Sequence, residues 1–232
     1  MIGKLYAVGV GPGEPELLTL KALKALTEAQ VIAVPKGKAE KDSVALSIIS
    51  KFVEGKQILE LVFPMTGERE VLNESWDEAA DEVGGLLEQG KVVVFATLGD
   101  PSLYSTFTYL LSTLKNKYDD LDVEIIPGIN SFSAAASRLQ LPLAEGGENL
   151  AVIPVPANTS RLKEVLNLFD TVILLKVHRY FDRIMEVLLE LGLEEKGYFI
   201  SRCGNRDEFV SNDLKSLAGK KLDYLSMMII KK

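Results

Sequence analysis

Three short stretches carry the side chains and the backbone freedom that chemistry needs. The first runs from Gly9 through Val10, Gly11, Pro12 and Gly13 to Glu14 and Pro15. The second is Leu98-Gly99-Asp100-Pro101-Ser102-Leu103-Tyr104, and the third is Pro127-Gly128-Ile129-Asn130-Ser131-Phe132. Each follows a short apolar run and precedes a segment with helical spacing or composition. Each is therefore expected at the carboxyl end of a strand, where open α/β sheets bind ligands.

The first stretch looks like a dinucleotide loop and departs from it in three places. The third glycine of Gly-x-Gly-x-x-Gly is replaced by Glu14. Glu14 and Glu16 stand where a pyrophosphate would meet the helix N-terminus. The second strand, VIAVPKG, ends in Pro35 and Lys36 instead of the acid that would hold a ribose. No Gly-Lys-Ser/Thr follows, so a phosphate-binding P-loop is absent as well. What remains is a stiff Gly-Pro turn suited to a neutral or cationic ligand, or an ordinary strand-to-helix turn. In the second stretch Asp100 or Ser102 could cap a helix with Pro101 in its first turn. Ser102, Tyr104, Ser105 and Thr106 add polar groups there. In the third, Ala134, Ala135 and Ala136 give a small-residue face, for a close ligand or for tight helix packing.

Scarcity removes other chemistries. Cys203 is the one cysteine and His178 the one histidine, so there is no internal disulfide, no usual zinc site and no Cys-ligated iron–sulfur cluster. No protein-bound metal is expected. A Ser-His or Cys-His nucleophile pair would have to use His178. The net charge of −7 argues against a nucleic-acid partner, while leaving room for a local basic pocket. No apolar run approaches the length of a membrane span, so no membrane role is expected. The chain opens without a signal-peptide layout, and a cytoplasmic setting is the expectation.

Apolar, often β-branched runs recur at 4–10, 31–35, 57–63, 91–97, 122–127, 150–154, 171–177, 197–202 and 224–230. Helical spacing lies between most of them. Ile184, Val187, Leu188 and Leu191 share one face, as do Leu18, Ala22 and Ala25. The alternation predicts two α/β domains with mostly parallel sheets and an active-site cleft between them. The polar stretch LKNKYDDLD places the expected boundary between residues 1–115 and 120–232. One continuous sheet is the alternative.

The stretches GVGPGEPELLTLKA, LGDPSLYST and IPGINSFSAAA, in this order and spacing, resemble the S-adenosylmethionine-dependent tetrapyrrole (corrin/porphyrin) methyltransferases over essentially the whole chain. VIAVPKG, FATLGDPSLYSTFTYL and SFSAAASRLQLPLAEG look most like the precorrin-2 / cobalt-factor II C-20 methyltransferases of cobalamin synthesis. The resemblance implies a homodimer, a tetrapyrrole substrate and S-adenosylmethionine as methyl donor. It implies that Gly11 and Gly13 border the substrate trough. Pro12, Leu98, Gly99, Asp100, Leu103, Ser131, Phe132, Val177, Cys203 and Ser226 are implied donor contacts. The late SRCGNRDE segment matches the family turn loosely, through Arg202 and Gly204. Asp100 is expected either to meet the donor's amine or to brace its loop. Asp100, Tyr104 or His178 could take the meso proton, as could water or the substrate itself. Substrate carboxylates are expected at Lys36, Lys38, Lys176, His178 and Arg179. Methylation at another ring position or of another acceptor, and a non-catalytic binding homologue, are the rival readings. Whether the ring carries cobalt is left open.

Overall fold

The run Val93–Thr97 shows why the first half of the chain folds as it does. It is buried at every residue. Val93 and Phe95 enter one core while Val94 and Ala96 enter another. That is the period-two pattern of a strand covered on both faces. It is β4 of a five-stranded sheet with β1 (Lys4–Gly9), β2 (Val31–Lys36), β3 (Gln57–Val62) and β5 (Asp122–Ile126), in the order β3-β2-β4-β1-β5. Every pairing in it is parallel. Helices α1 (Leu20–Glu28) and α2 (Val44–Ile49) cover one face. Helices α3 (Arg69–Glu88) and α4 (Phe107–Lys117) cover the other. Pro35 is tolerated in β2 because the pairing with β4 stops at Ala33 and only β3 continues beside it.

The structure is a computed structural model that describes residues 2–37, 43–64 and 66–232. The chain divides into two compact units, residues 1–130 and 131–232. The boundary expected at 115–120 is therefore corrected. β5 pairs with β1 from Lys4 opposite Asp122 to Val8 opposite Ile126, so it belongs to the first sheet. The polar stretch before it is an exposed helix-to-strand connection, and its polarity reports contact with water.

The second unit opens with α5 (Ser131–Leu139), followed by β6 (Leu150–Pro154), α6 (Thr159–Leu168), β7 (Thr171–Leu175), α7 (Phe181–Leu191), β8 (Gly197–Ser201), β9 (Phe209–Ser211) and β10 (Ser226–Lys231). Its sheet has the order β6-β7-β10-β8-β9. The two-sheet α/β class holds, and parallel pairing predominates across both sheets. Within this second sheet, however, only β6–β7 is parallel, and β10 runs antiparallel to both its neighbours. Among the described residues no α-helix separates β8, β9 and β10, only a single 3-10 turn at Lys215–Leu217, so the chain returns alongside itself without a crossover helix. β9, three residues long, has no alternation that would have revealed it. On α7, Ile184, Val187 and Leu188 are buried in one core with Val172, Leu174, Phe199 and Met228. On the opposite face Ala135 of α5 packs with Ile173, Ile200, Met227 and Ile229. The alanine face thus serves tight helix packing. Among the described residues no helix is long and apolar enough to cross a membrane.

Charge ties the edge of the first sheet. Glu124 on β5 pairs with Lys4 on β1 at 2.9 Å and with Lys21 on α1. Lys21 and then Lys4 hold the Glu124 carboxyl down at about 2. A depressed carboxyl stabilises the fold above its ordinary value and loses that contribution as pH falls toward 2. Glu124→Gln is expected to lower the melting temperature at pH 7, with the gap to the parent closing by about pH 2. Scanning calorimetry across that range checks it. An undiminished gap at pH 2 would show that the pair contributes nothing through charge.

Candidate active site

The ends of β1, β4 and β5 meet in a knot of glycine backbones. Gly11 and Gly99 pair as an antiparallel bridge, with the Gly99 N–H donating to the Gly11 carbonyl at 2.8 Å. Both take positive φ, +78° and +68°, where a side chain would be strained. Gly9 and Gly128 are needed for closeness. A Cβ on Gly9 would lie 2.5 Å from the Gly99 carbonyl oxygen and 2.6 Å from the Gly128 nitrogen. A Cβ on Gly128 would lie 2.1 Å from that same oxygen. Three loops that are far apart in sequence are thereby held in backbone contact.

Asp100 closes the knot. Its Oδ1 accepts the Ser102 N–H at 2.8 Å and its Oδ2 accepts the Gly128 N–H at 2.9 Å. Of the two roles open to it, the geometry supplies the brace. Neither Asp100 nor Ser102 caps a helix directly, because α4 begins only at Phe107. Residues 101–104 form turns instead, and Ser105 Oγ accepts the Phe107 N–H at 3.2 Å. The Ser105 hydroxyl also lies 3.1 Å from Thr97 Oγ1, both buried. Gly11 and Pro12 are buried, whereas Gly13, Leu98, Gly99 and Leu103 are half-buried at the same strand ends. Tyr104 is exposed and sits at φ +51°, an uncommon conformation for a residue with a side chain. Lys36 lies at the end of β2 with its ammonium on Glu60 at 2.7 Å. Lys38 lies outside the described residues.

In the second unit, strand pairing gathers the later residues. Ser226 opens β10 opposite Ser201 at the end of β8, and its carbonyl accepts the Lys176 N–H that follows β7. Arg202, in left-handed conformation, donates its N–H to Leu225. Val177, Cys203 and Ser226 are therefore neighbours of one sheet end. Their exposures to a ligand differ. Val177 is fully buried among α6 and α7 core residues, so only its backbone is placed to meet one. Cys203 is buried in the cluster against which Phe132 packs. The Ser226 hydroxyl is buried with no hydrogen-bond partner, and so is His178 Nδ1. Burial, then Arg179, push the His178 imidazole below its ordinary value against the pull of Asp223, leaving it neutral at pH 7. Its ring meets Tyr224 edge-on at 5.2 Å. Leaving such polar atoms unpaired costs about 1–3 kcal/mol each; Thr171 Oγ1, at the opposite end of the sheet, is in the same state. Ser131 and Phe132 lie half-buried in the first turn of α5, and Lys176 is exposed.

Three features escaped sequence reasoning. The Gly128 close approach needs three strand ends to be known at once. A Thr97–Ser105 contact has no sequence pattern. Lys220 and Lys221 line a hollow of about 240 Å³ together with Ser201, Asp223, Phe199 and Phe209. Their adjacent placement ahead of β10 was the available signal.

A glycine knot at the ends of three parallel strands, followed by a mixed second sheet, defines a class, and comparison with known proteins gives it a name. Residues 4–218 match the model of the Tetrapyrrole (Corrin/Porphyrin) Methylases, and the chain belongs to that family. It is 37% identical to a probable cobalt-precorrin-2 C(20)-methyltransferase of Methanocaldococcus jannaschii, over 100% of this chain and 97% of that one. It is 36% identical to the cobalt-precorrin-2 C(20)-methyltransferase of Salmonella typhimurium, over 88% and 85%. A cobalt-precorrin-4 C(11)-methyltransferase of M. jannaschii is 30% identical over 94% and 81%. A solved cobalt precorrin-4 methyltransferase shares the fold at a TM-score of 0.76 and 24% identity, covering 98% of this chain and 94% of that one.

Proposed function

We propose that the protein transfers a methyl group from S-adenosylmethionine to the C-20 meso carbon of the precorrin-2 ring in cobalamin biosynthesis. One observation carries the position: identity is 37% to the C(20) relative from M. jannaschii and 30% to the C(11) relative from the same organism, both over nearly all of this chain. The two relatives at 36–37% are named for the cobalt form, which favours a ring that arrives with its metal.

The residues fit the donor. It is a sulfonium cation with no phosphate, which suits glycine-backbone turns lacking a lysine. The partnerless Ser226 hydroxyl offers a buried hydrogen bond, and Phe132 with Cys203 offers an apolar wall. When bound, the donor supplies an electrophilic methyl, and the ring carbon is the electron-rich partner. The chain's task is to hold the two in line at roughly 3–3.5 Å and keep water out. We assign Asp100 to positioning, because both its oxygens already accept backbone N–H groups. Of the three residues considered we assign the proton to His178, whose Nδ1 has no hydrogen-bond partner. A homodimer in the cytoplasm belongs to the same reading.

The test is methyl transfer from labelled donor to metal-free precorrin-2 and to its cobalt form, with the product methyl located by NMR. Methyl at C-20, with higher kcat/KM for the cobalt ring, is the expected result. Label at another carbon, or no turnover with either ring, would overturn the assignment.

A further inference from the structure

A carboxylate of the loop after β8 reaches α5. Glu208 Oε2 accepts the Gly204 N–H at 2.7 Å, and Oε1 pairs with Arg138 Nε at 3.0 Å. The Glu208 side chain is 16% exposed and that of Arg138 56%, so the pair is shielded from water on the Glu208 side. The rest of the loop is fastened to itself. The Asn205 amide donates to the carbonyls of Arg202 at 3.1 Å and Cys203 at 3.3 Å. Arg202 pairs with Asp207 at 2.6 Å and with Asp223 at 3.5 Å. These bonds tie the loop internally and, through Asp223, to the segment before β10, while Glu208 joins it to α5 beside the packed Cys203.

On α5, Arg138 lies seven residues after Ser131, two turns along the same helix face and about 10 Å away along the axis. Phe132 and Leu139 share the neighbouring face and pack against the sheet beside Cys203. A pull on Arg138 thus sets the roll of the helix that presents Ser131 and Phe132. A pull on Gly204 sets the turn that presents Cys203.

We propose that Glu208 and Arg138 are positioning residues that clamp the donor pocket, fixing α5 and the β8–β9 turn at the spacing the donor needs without touching it. The proposal rests on the donor reading of Ser131, Phe132 and Cys203. Two charge-assisted bonds on one partly buried carboxylate are strong enough for such a task.

The test is a double-mutant cycle with Glu208→Gln, Arg138→Gln and the two combined. S-adenosylhomocysteine affinity is read by calorimetry, and KM for donor and ring by steady-state kinetics. Each single variant is expected to weaken S-adenosylhomocysteine about tenfold, with the double no worse than the worse single. Ring KM is expected to stay within about twofold, and Arg138→Lys to restore most of the affinity. Parent-like affinity in the single variants, additive losses in the double, or equal losses for donor and ring would overturn the clamp and leave the donor reading standing. Should the parent protein itself fail to bind S-adenosylhomocysteine, the donor reading falls and takes the clamp with it.

Discussion

Gly128→Ala is expected to destabilise the protein by about 3 kcal/mol or more and to abolish most methyl transfer. The added methyl would sit 2.1 Å from the Gly99 carbonyl oxygen and 2.7 Å from the Gly9 backbone. These neighbours are main chain, so nothing can swing aside. Either β5 moves off β1 at its end, or the Gly99 turn moves and loses its bridge to Gly11. In a chain of this size such a loss lowers the melting temperature by roughly 6–12 °C. Gly85→Ala is the control. A Cβ there meets nothing within 4 Å inside a helix, so it should raise stability by up to about 1 kcal/mol. Equal effects from the two substitutions, measured by denaturant unfolding, would show that the knot does not limit the fold.

The difference between these two glycines explains what could be read from the sequence. Strands and helices were legible because the apolar period is written locally. Val93 to Ala96 alternate between two cores, and Ile184, Val187 and Leu188 line one helix face, as their spacing says. The three loops were legible as strand ends for the same reason. Features that depend on a distant segment were not. The unit boundary was misplaced because the pairing of β5 with β1 joins residues more than a hundred positions apart. The antiparallel course of β10 depends on which strands it lies between. The Glu60 partner of Lys36, an expected substrate contact, lies on the next strand and has no local signal. Val177 is expected as a donor contact, and the burial of its side chain in the α6–α7 core depends on helices that its own stretch does not reveal.

Asp100 shows the same limit, and its replacement is the second large effect expected. A lone acid in a Gly-Asp-Pro turn is equally a helix cap, a ligand for an amine or a brace. The Gly128 N–H, 28 residues later, is what favours the brace. Asp100→Ala leaves two N–H groups without their acceptor. Charge-assisted bonds of this kind contribute about 1.5–3 kcal/mol each when shielded. Asp100 is half-buried, so a loss of about 2–3 kcal/mol in all is expected, together with at least tenfold weaker binding of S-adenosylhomocysteine. Asp100→Asn keeps one acceptor oxygen and turns an amide N–H₂ toward the other donor, so it should fall between parent and alanine in both measurements. Because Asp100 and Gly128 belong to one knot, adding Asp100→Ala to Gly128→Ala should cost less than Asp100→Ala alone. An asparagine variant with parent-like stability and no turnover would place the carboxylate on the reacting molecules instead. The brace requires stability and binding to fall together, since the same two bonds that hold the strand ends in register hold the loop proposed to meet the donor.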